Sequence, residues 1–525
     1  MKKLLSILMA IVMVTCLLAG CGGGEDTTPT KTINIGGNTT GSTAPTGSTG
    51  NPTDPTDPTG STGNPTDPTG STGSTGGTLA VEDIKGITDT TIYVGNTAAT
   101  TGAYAAIGEP FNLGIQAAFA AYNANGGFYG LNVELINYDD GGDAAQSVTY
   151  MNQLVHDDEV FAIVGNFGSY AVAANLDIMI DANVPMVYAA AGNDILFNDS
   201  AEDGERAIFP VQPLCYTEGQ MLILRAFAPN DKGGMGGTKV GVLTNNDEAS
   251  QTMLSGIKYE ANNSGLTSKI VYQNVSGDDY SAAINALKEA GCDVVVYASS
   301  TYFTTALLAM SNAQYYPIVL TTYNNSSATI LNNGNLLKAE YEDVLANIQI
   351  FAQAWLDITS TDYVFDPECQ TELGQAYKTF YALFSTEYTG VTGFNEAYWE
   401  VAQAIYAYCT GKGRTDALQM SYNSYALAGY IAGDLFCQGL TALQASGKDL
   451  TRANFIDIME SQEFQIAMAG AMSFADGMRS GVQSFALTWF YDLYDYNGGL
   501  YHSASSMTVS GLISIEEFRA MLKEG

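Results

Sequence analysis

Two periodicities alternate along this chain. Short apolar runs bounded by Gly, Asn or Asp predict buried strands, and apolar residues at helical spacing predict helices. Residues 160–164 (VFAIV) are too short a run for a helix and stop at Gly165, so they read as a strand. GNFGS at 165–169 turns the chain, residues 171–182 carry helical spacing, and residues 184–188 (VPMVY) are a second strand. Strands are also predicted at 91–95 and 132–137, with helices at 111–124, stopped by Asn125-Gly126-Gly127, and at 144–156. Strands alternating with helices make a parallel sheet covered by helices. In such sheets ligands sit beyond the carboxyl ends of the strands. The loops at those ends are small and carry hydroxyl or amide groups: Phe167, Gly168 and Ser169 after one strand, Ala190, Gly192 and Asn193 after the next. They are expected to form one wall of a small-molecule site.

The same alternation then starts again. Strands are predicted at 239–243, 268–272, 293–297 and 318–321, with helices at 250–264, 280–290 and 302–313 between them. This reads as a second lobe of the same α/β design. Residues 347–351 are predicted to cross back to the first lobe. Helices follow at 372–386, 395–409 and 424–445, and a strand at 485–490 returns to the second lobe. The expected layout is lobe 1 over 86–213, lobe 2 over 214–345, lobe 1 again over 346–480 and lobe 2 again over 481–525.

The first residues belong to neither lobe. Lys2 and Lys3 precede an apolar stretch at 4–18, and LAGC at 18–21 resembles the bacterial lipobox, whose cysteine is acylated. Residues 1–21 therefore read as a lipoprotein signal peptide with Cys21 as the lipidated residue; the competing reading is a plain secretory leader with Cys21 incidental. The expected location is the outer face of a bacterial cell membrane, with no other segment long enough to span a bilayer. Residues 22–80 are a Gly/Ser/Thr/Pro linker in which GSTGNPTDPT occurs at 47–56 and again at 60–69. Almost nothing apolar is available there to offset ordering entropy, so disorder is expected.

Composition then removes alternatives. The chain has 525 residues, enough for two or three domains, and 46 % hydrophobic residues support a folded body. Lys+Arg is 20 against Asp+Glu 55, a formal charge of −35, which argues against nucleic acid and against charge-driven binding to an anionic membrane. Beyond Cys16 and Cys21 the cysteines are Cys215, Cys292, Cys369, Cys409 and Cys437, with no Cys-x-x-Cys, so neither a disulfide framework nor a zinc site is signalled. There are only 2 His, His156 and His502, neither near a candidate nucleophile, and no Walker loop or metal-ligand spacing. No cofactor and no catalysis are expected. The Asp139–Asp140 pair reads as a solvated strand end rather than an acid–base pair.

A resemblance runs through these elements. TGAYAAIG at 101–108, NANGG at 123–127, YDD at 138–140, AIVG at 162–165, NVP at 183–185, DYS at 279–281 and SFAD at 473–476 are similar to the solute-binding proteins of bacterial branched-chain amino-acid importers. The resemblance implies the type I periplasmic-binding fold: two Rossmann-like three-layer α/β/α lobes with parallel-sheet cores, joined by three crossovers, with the ligand between them. It also implies partners, namely the membrane permease subunits of an ABC importer; a ligand sensor built on the same clamshell is the alternative. Ser169 matches the position whose hydroxyl binds a ligand carboxylate, with a helix cap as its other reading. Ala190 matches a position that uses its backbone carbonyl. Gly192 stands where the family often has a ligand-contacting Thr, and Asn193 is the neighbour able to replace it. Tyr104 and Ile107 are placed to cover the ligand. On the second lobe Tyr323 occupies the place of a Glu that pairs with the ligand ammonium, and Ser300 the place of a Tyr. Asp247 or Glu248 is the substitute source of charge, against a reading as ordinary surface acids. Cys215, Tyr216 and Glu218 fall near the first crossover and read as hinge or cleft residues. Residues 390–420 exceed the family pattern and read as an insertion.

Overall fold

The computed structural model describes residues 85–192, 194–325, 341–357, 359–360, 393–394, 396–492 and 504–524. Cys21, the linker at 22–80, Asn193, the helix expected at 372–386 and His502 lie outside them. The first sheet holds β1 (Thr91–Ala98), β2 (Asn132–Asp139), β3 (Ala162–Val164), β4 (Met186–Val187) and β5 (Ile208–Phe209) in the order β2-β1-β3-β4-β5, all parallel. Helices α1 (Ala105–Ala124), α2 (Ala144–Asn152) and α3 (Ser169–Ala182) connect them. Ile163, Met186 and Ile208 pack with Met151 of α2 and Val172 and Met179 of α3 in one buried cluster on one face.

The chain then enters α4 (Cys215–Phe227) and builds a second sheet. β6 (Val240–Asn245), β7 (Ile270–Val275), β8 (Val294–Ala298), β9 (Ile318–Thr321) and β10 (Ile350–Ala354) are parallel, with α5 (Glu248–Asn263), α6 (Ser281–Ala290), α7 (Phe303–Asn312) and α8 (Glu342–Asn347) between them. A short pair, β11 (Thr359–Ser360) with β12 (Gly393–Phe394), precedes α9 (Glu396–Gly411), α10 (Ala417–Ser421), α11 (Ser424–Ser446) and α12 (Arg452–Ser461). The hairpin β13 (Glu463–Ile466) and β14 (Gly470–Ser473) follows. Finally β15 (Ser484–Asp492), β16 (Ala504–Ser514) and α13 (Ile515–Glu524) return to the second sheet, whose order is β16-β15-β10-β9-β8-β6-β7.

One predicted crossing moves. Residues 347–351 were expected to lead back to the first lobe, but Ile350–Ala354 is a strand of the second sheet, parallel to β9 and antiparallel to β15. An apolar run such as Ile350–Ala352 fits either sheet equally, and only pairing decides between them. The return follows Ala354, and the Asp357 N–H already donates to the Met468 carbonyl near β13 and β14 at 2.7 Å.

The returning helices complete the first lobe's other face. Phe436 of α11 packs on Phe119 of α1 at 6.1 Å and on Phe455 of α12 at 5.2 Å, and Phe161, just before β3, joins them. α9 reaches the same layer through Tyr408, whose hydroxyl donates to Gln116 Oε1 at 2.7 Å. α11 has 23 residues and is apolar enough to cross a membrane, which corrects the expectation that no further segment qualifies; its Leu435, Phe436 and Leu440 are buried here against protein. The crossovers are fastened side by side: the Val482 N–H donates to the Val211 carbonyl at 2.8 Å, and Thr217 Oγ1 donates to the Ser480 carbonyl at 2.8 Å. Gly481, at φ 66°, lies so close to the Gln212 carbonyl that a Cβ there would overlap it.

Candidate functional site

The first wall is built from the exits of β1, β3 and β4. Past the strand ends the backbones keep pairing. The Phe167 N–H donates to the Thr97 carbonyl at 3.2 Å, the Ala190 N–H to the Asn166 carbonyl at 2.9 Å, and the Gly168 N–H to the Ala190 carbonyl at 3.2 Å. A buried amide and hydroxyl network lies beneath. Asn166 Nδ2 donates to Thr97 Oγ1 at 2.9 Å, Thr97 pairs with Ser147 at 2.7 Å, and Asn96 Nδ2 donates to Asn112 Oδ1 at 2.8 Å. Such pairing favours one arrangement of the floor, because a buried polar group left unmet costs free energy, although Asn112 Nδ2 has no partner among the described residues.

Gly168, at φ 96° and ψ 138°, is the N-cap of α3 and supplies no side chain to the cap. Ser169 therefore occupies the first helical position rather than the cap, half-buried at a helix start whose N–H groups favour an anion. Next to it the Tyr170 hydroxyl donates to Asp140 Oδ1 at 2.8 Å, and the Tyr104 ring stacks on Tyr170 at 6.4 Å while staying 45 % exposed. Ile107 is half-buried in the first turn of α1. Asp139 ties down the β1 exit. Burial pushes its carboxyl up, but hydrogen bonds from the Thr101 hydroxyl and the N–H groups of Gly141, Thr100 and Thr101 outweigh that and hold it below the usual range. Asp139 is thus a loop tether, and Asp140 is fully buried, which corrects the reading of the pair as a solvated strand end.

The second wall is built from the exits of β6, β8 and β9. Asp247 is exposed and caps α5, accepting from the Ser250 N–H at 2.9 Å and the Ser250 hydroxyl at 2.7 Å. Ser300 is exposed, and its Oγ accepts from Asn324 Nδ2 at 3.2 Å. Asn325 Nδ2 donates to the Ser299 carbonyl at 2.6 Å and to Thr321 Oγ1 at 2.8 Å, locking the two exits together. Asp247→Ala is expected to cost about 1 kcal/mol in urea unfolding through loss of this cap. The same variant is expected to change solute affinity less than about twofold in calorimetry, because the carboxylate serves its helix.

The walls meet at two of the predicted residues. Tyr323 is buried, and its hydroxyl stands 3.5 Å from where a Cβ on Gly192 would be. The absent side chain at 192 and the large one at 323 are therefore complementary in space. The Gly192 carbonyl accepts from the Cys215 N–H at 3.5 Å, and Asp194 Oδ1 accepts from the Tyr216 N–H at 3.2 Å, so the β4 exit is bound to the head of α4. Burial pushes the Asp194 carboxyl up, against hydrogen bonds from Thr252 of α5 and the Tyr216 N–H, with Glu248 adding to the rise.

Tyr188 escaped the sequence reading, whereas Glu218 is one of its hinge or cleft candidates. Glu218 is fully buried; its Oε1 accepts from the Tyr323 N–H at 2.8 Å and its Oε2 from the Thr322 hydroxyl at 2.9 Å. The sequence marks it as a hinge or cleft residue near the first crossover, but not which loop its carboxylate holds. Tyr188, at the end of β4, is fully buried at φ 59°, beside Phe111 at 5.8 Å, and its hydroxyl has no hydrogen-bond partner among the described residues. A strained tyrosine carries no mark in a VPMVY run. Among the described residues no cluster of His, Cys, Asp or Glu has the arrangement to hold a metal ion.

Comparison with known proteins agrees with this architecture. Residues 91–332 match the periplasmic binding protein family model. A Leu/Ile/Val-binding protein homolog of Brucella abortus is 31 % identical over 210 residues, covering 39 % of this chain and 53 % of that protein. The chain thus spans about half the length of the curated relatives it matches. Among solved structures, a branched-chain amino acid ABC transporter protein from Rhodospirillum rubrum superposes with TM-score 0.54 at 16 % identity, over 76 % of this chain and 97 % of that one. A fatty acid ABC transporter substrate-binding protein from Thermomonospora curvata gives 0.53 at 17 % identity, over 85 % and 97 %. At those identities the likeness speaks for the fold. The chain thus matches the periplasmic binding protein family model over residues 91–332, and its two lobes share the type I periplasmic-binding fold of those solved structures.

Proposed function

We propose that this chain is the solute-binding component of an ABC importer, without catalytic activity of its own. It captures a small polar solute, an amino acid or a related carboxylate or amide, between its lobes and presents it to a permease. The observation that carries the reading is that loops leaving the carboxyl ends of parallel strands in the two sheets meet at Gly192 and Tyr323. The curated relatives' branched-chain amino-acid names support the solute class. Closure by hinge motion at the crossovers produces the form that the permease recognises. Lipidation at Cys21 holds the protein at the outer face of the cell membrane, and residues 22–80 provide reach.

A thermal-shift screen of amino acids, amides, small carboxylates and aromatic acids tests the reading, with a saturable rise in melting temperature for one class as the expected result. A flat response to all classes counts against it. Ser169→Ala is expected to weaken the solute found in that screen about tenfold or more without moving the melting temperature of the unliganded protein, because a hydroxyl that meets a carboxylate contributes on the order of 1.5–3 kcal/mol. Unchanged affinity by calorimetry removes Ser169 from the site. Cys21→Ser is expected to shift the protein from the membrane fraction to the soluble one.

A further inference from the structure

The turn after β9 is held by one buried carboxylate. Glu218 lies in the first turn of α4, just past the first crossover, with both oxygens taken by the turn after β9: Oε2 by the Thr322 hydroxyl at 2.9 Å and Oε1 by the Tyr323 N–H at 2.8 Å. Both donors are neutral. From the same turn the Tyr323 phenol reaches toward Gly192, whose carbonyl accepts from Cys215 one helical turn before Glu218. One end of α4 thus grips a loop of each lobe.

We infer that Glu218 is a positioning residue of the proposed solute site: it anchors the Thr322–Tyr323 turn from beneath and so sets the Tyr323 phenol against Gly192 on the opposite lobe. Its functional meaning rests on the solute-binding reading above, whereas the tether can be measured with no solute present. An ionised carboxylate accepts both hydrogen bonds, and such charge-assisted bonds are shorter and stronger than neutral ones. A protonated acid still accepts from the Tyr323 N–H, but its own proton has to be donated to Thr322 Oγ1, which turns that hydroxyl around. The turn therefore has two hydrogen-bonding states. Burial pushes the Glu218 acid up to about 7, against the pull of the Tyr323 N–H and the Thr322 hydroxyl. The other groups at this junction are Tyr323 itself, Asp194 from the β4 exit, Cys215 on α4, and Asp247 and Glu248 at the head of α5. Burial lifts the Cys215 thiol well above its ordinary value, so it stays neutral here, while Asp194 moves upward and needs its own control.

The test places 4-fluorophenylalanine at position 323 of the full chain and follows its fluorine resonance from about pH 5.5 to about pH 8.5 in the absence of solute; this label does not titrate. The resonance is expected to move with a midpoint near pH 7. In Glu218→Gln, which donates to Thr322 and accepts from residue 323 at every pH, it is expected to stay at the acid position throughout. Asp194→Asn is expected to leave the midpoint in place. A titration that survives Glu218→Gln, one that Asp194→Asn abolishes, or a resonance that never moves in the parent overturns the inference. If Glu218→Gln fails to fold, Thr322→Val is read in its place: loss of one of the two bonds displaces the resonance at high pH, and an unmoved resonance overturns the tether. Failure here leaves the solute-binding reading standing, and a failed solute screen leaves the tether standing.

Discussion

Gly429→Ala is expected to destabilise the first lobe by about 3 kcal/mol or more, enough to lower the urea midpoint by about 1 M. In isolation this change favours a helix by about 1 kcal/mol, because glycine is a poor helix former. The surroundings reverse the sign. Gly429 lies within α11 where that helix crosses α1, and a Cβ there would fall inside the carbonyl oxygen of Phe111. Gly114 on α1 meets the Ala426 carbonyl of α11 in the same way, and a Cβ on Gly433 would be 2.8 Å from Ala118 Cβ. These contacts involve backbone, so no rotamer change relieves them, and the helices have to separate. Separation opens the Phe119–Phe436–Phe455 cluster that seals this face of the sheet. Gly411→Ala, with nothing within 4 Å of the added carbon, is the matched control and is expected to be near neutral. Equal midpoints for the two variants would show that the helices do not pack backbone to backbone.

The second large effect is a pH dependence traced to Glu218. Its acid is pushed from 4.5 up to about 7 by burial, so between those values the folded state holds a proton that the unfolded state has released. Its contribution to stability is therefore full below about pH 4.5 and is lost as pH rises through about 7, a change of about 3 kcal/mol. Glu218→Gln removes this slope. In urea unfolding the variant is expected to be close to the parent near pH 5 and more stable than it near pH 8, by an amount up to that figure. Comparing variant with parent cancels the opposite trend of carboxylates such as Asp139, whose acids lie low and whose contribution is lost on acidification. Parallel profiles for the two proteins would mean that Glu218 ionises as an ordinary surface acid.

The fold was readable wherever a local pattern suffices. VFAIV at 160–164 ends at a glycine because the strand has to stop and turn, and structure places β3 and α3 there. The exits that would carry a site were readable for the same reason, since a parallel strand's carboxyl end is marked by its first non-apolar residues. The pattern could not assign Ile350–Ala354 to a sheet, since its apolar start at Ile350–Ala352 fits either parallel neighbour. It also could not rank Asp247 against Glu218: both are acids near strand or helix ends, yet one caps a helix in solvent and the other lies buried under a loop 104 residues later in the chain.

By itself, then, the amino-acid order determined two alternating α/β lobes and which loops follow the carboxyl ends of their parallel strands, because strand and helix periods act over a few neighbouring residues. Tertiary structure alone decided that Tyr323 lies against Gly192, that α1 and α11 touch through glycine, and that Glu218 faces Thr322. Those relations depend on distances between segments far apart in the chain, and no local pattern carries them.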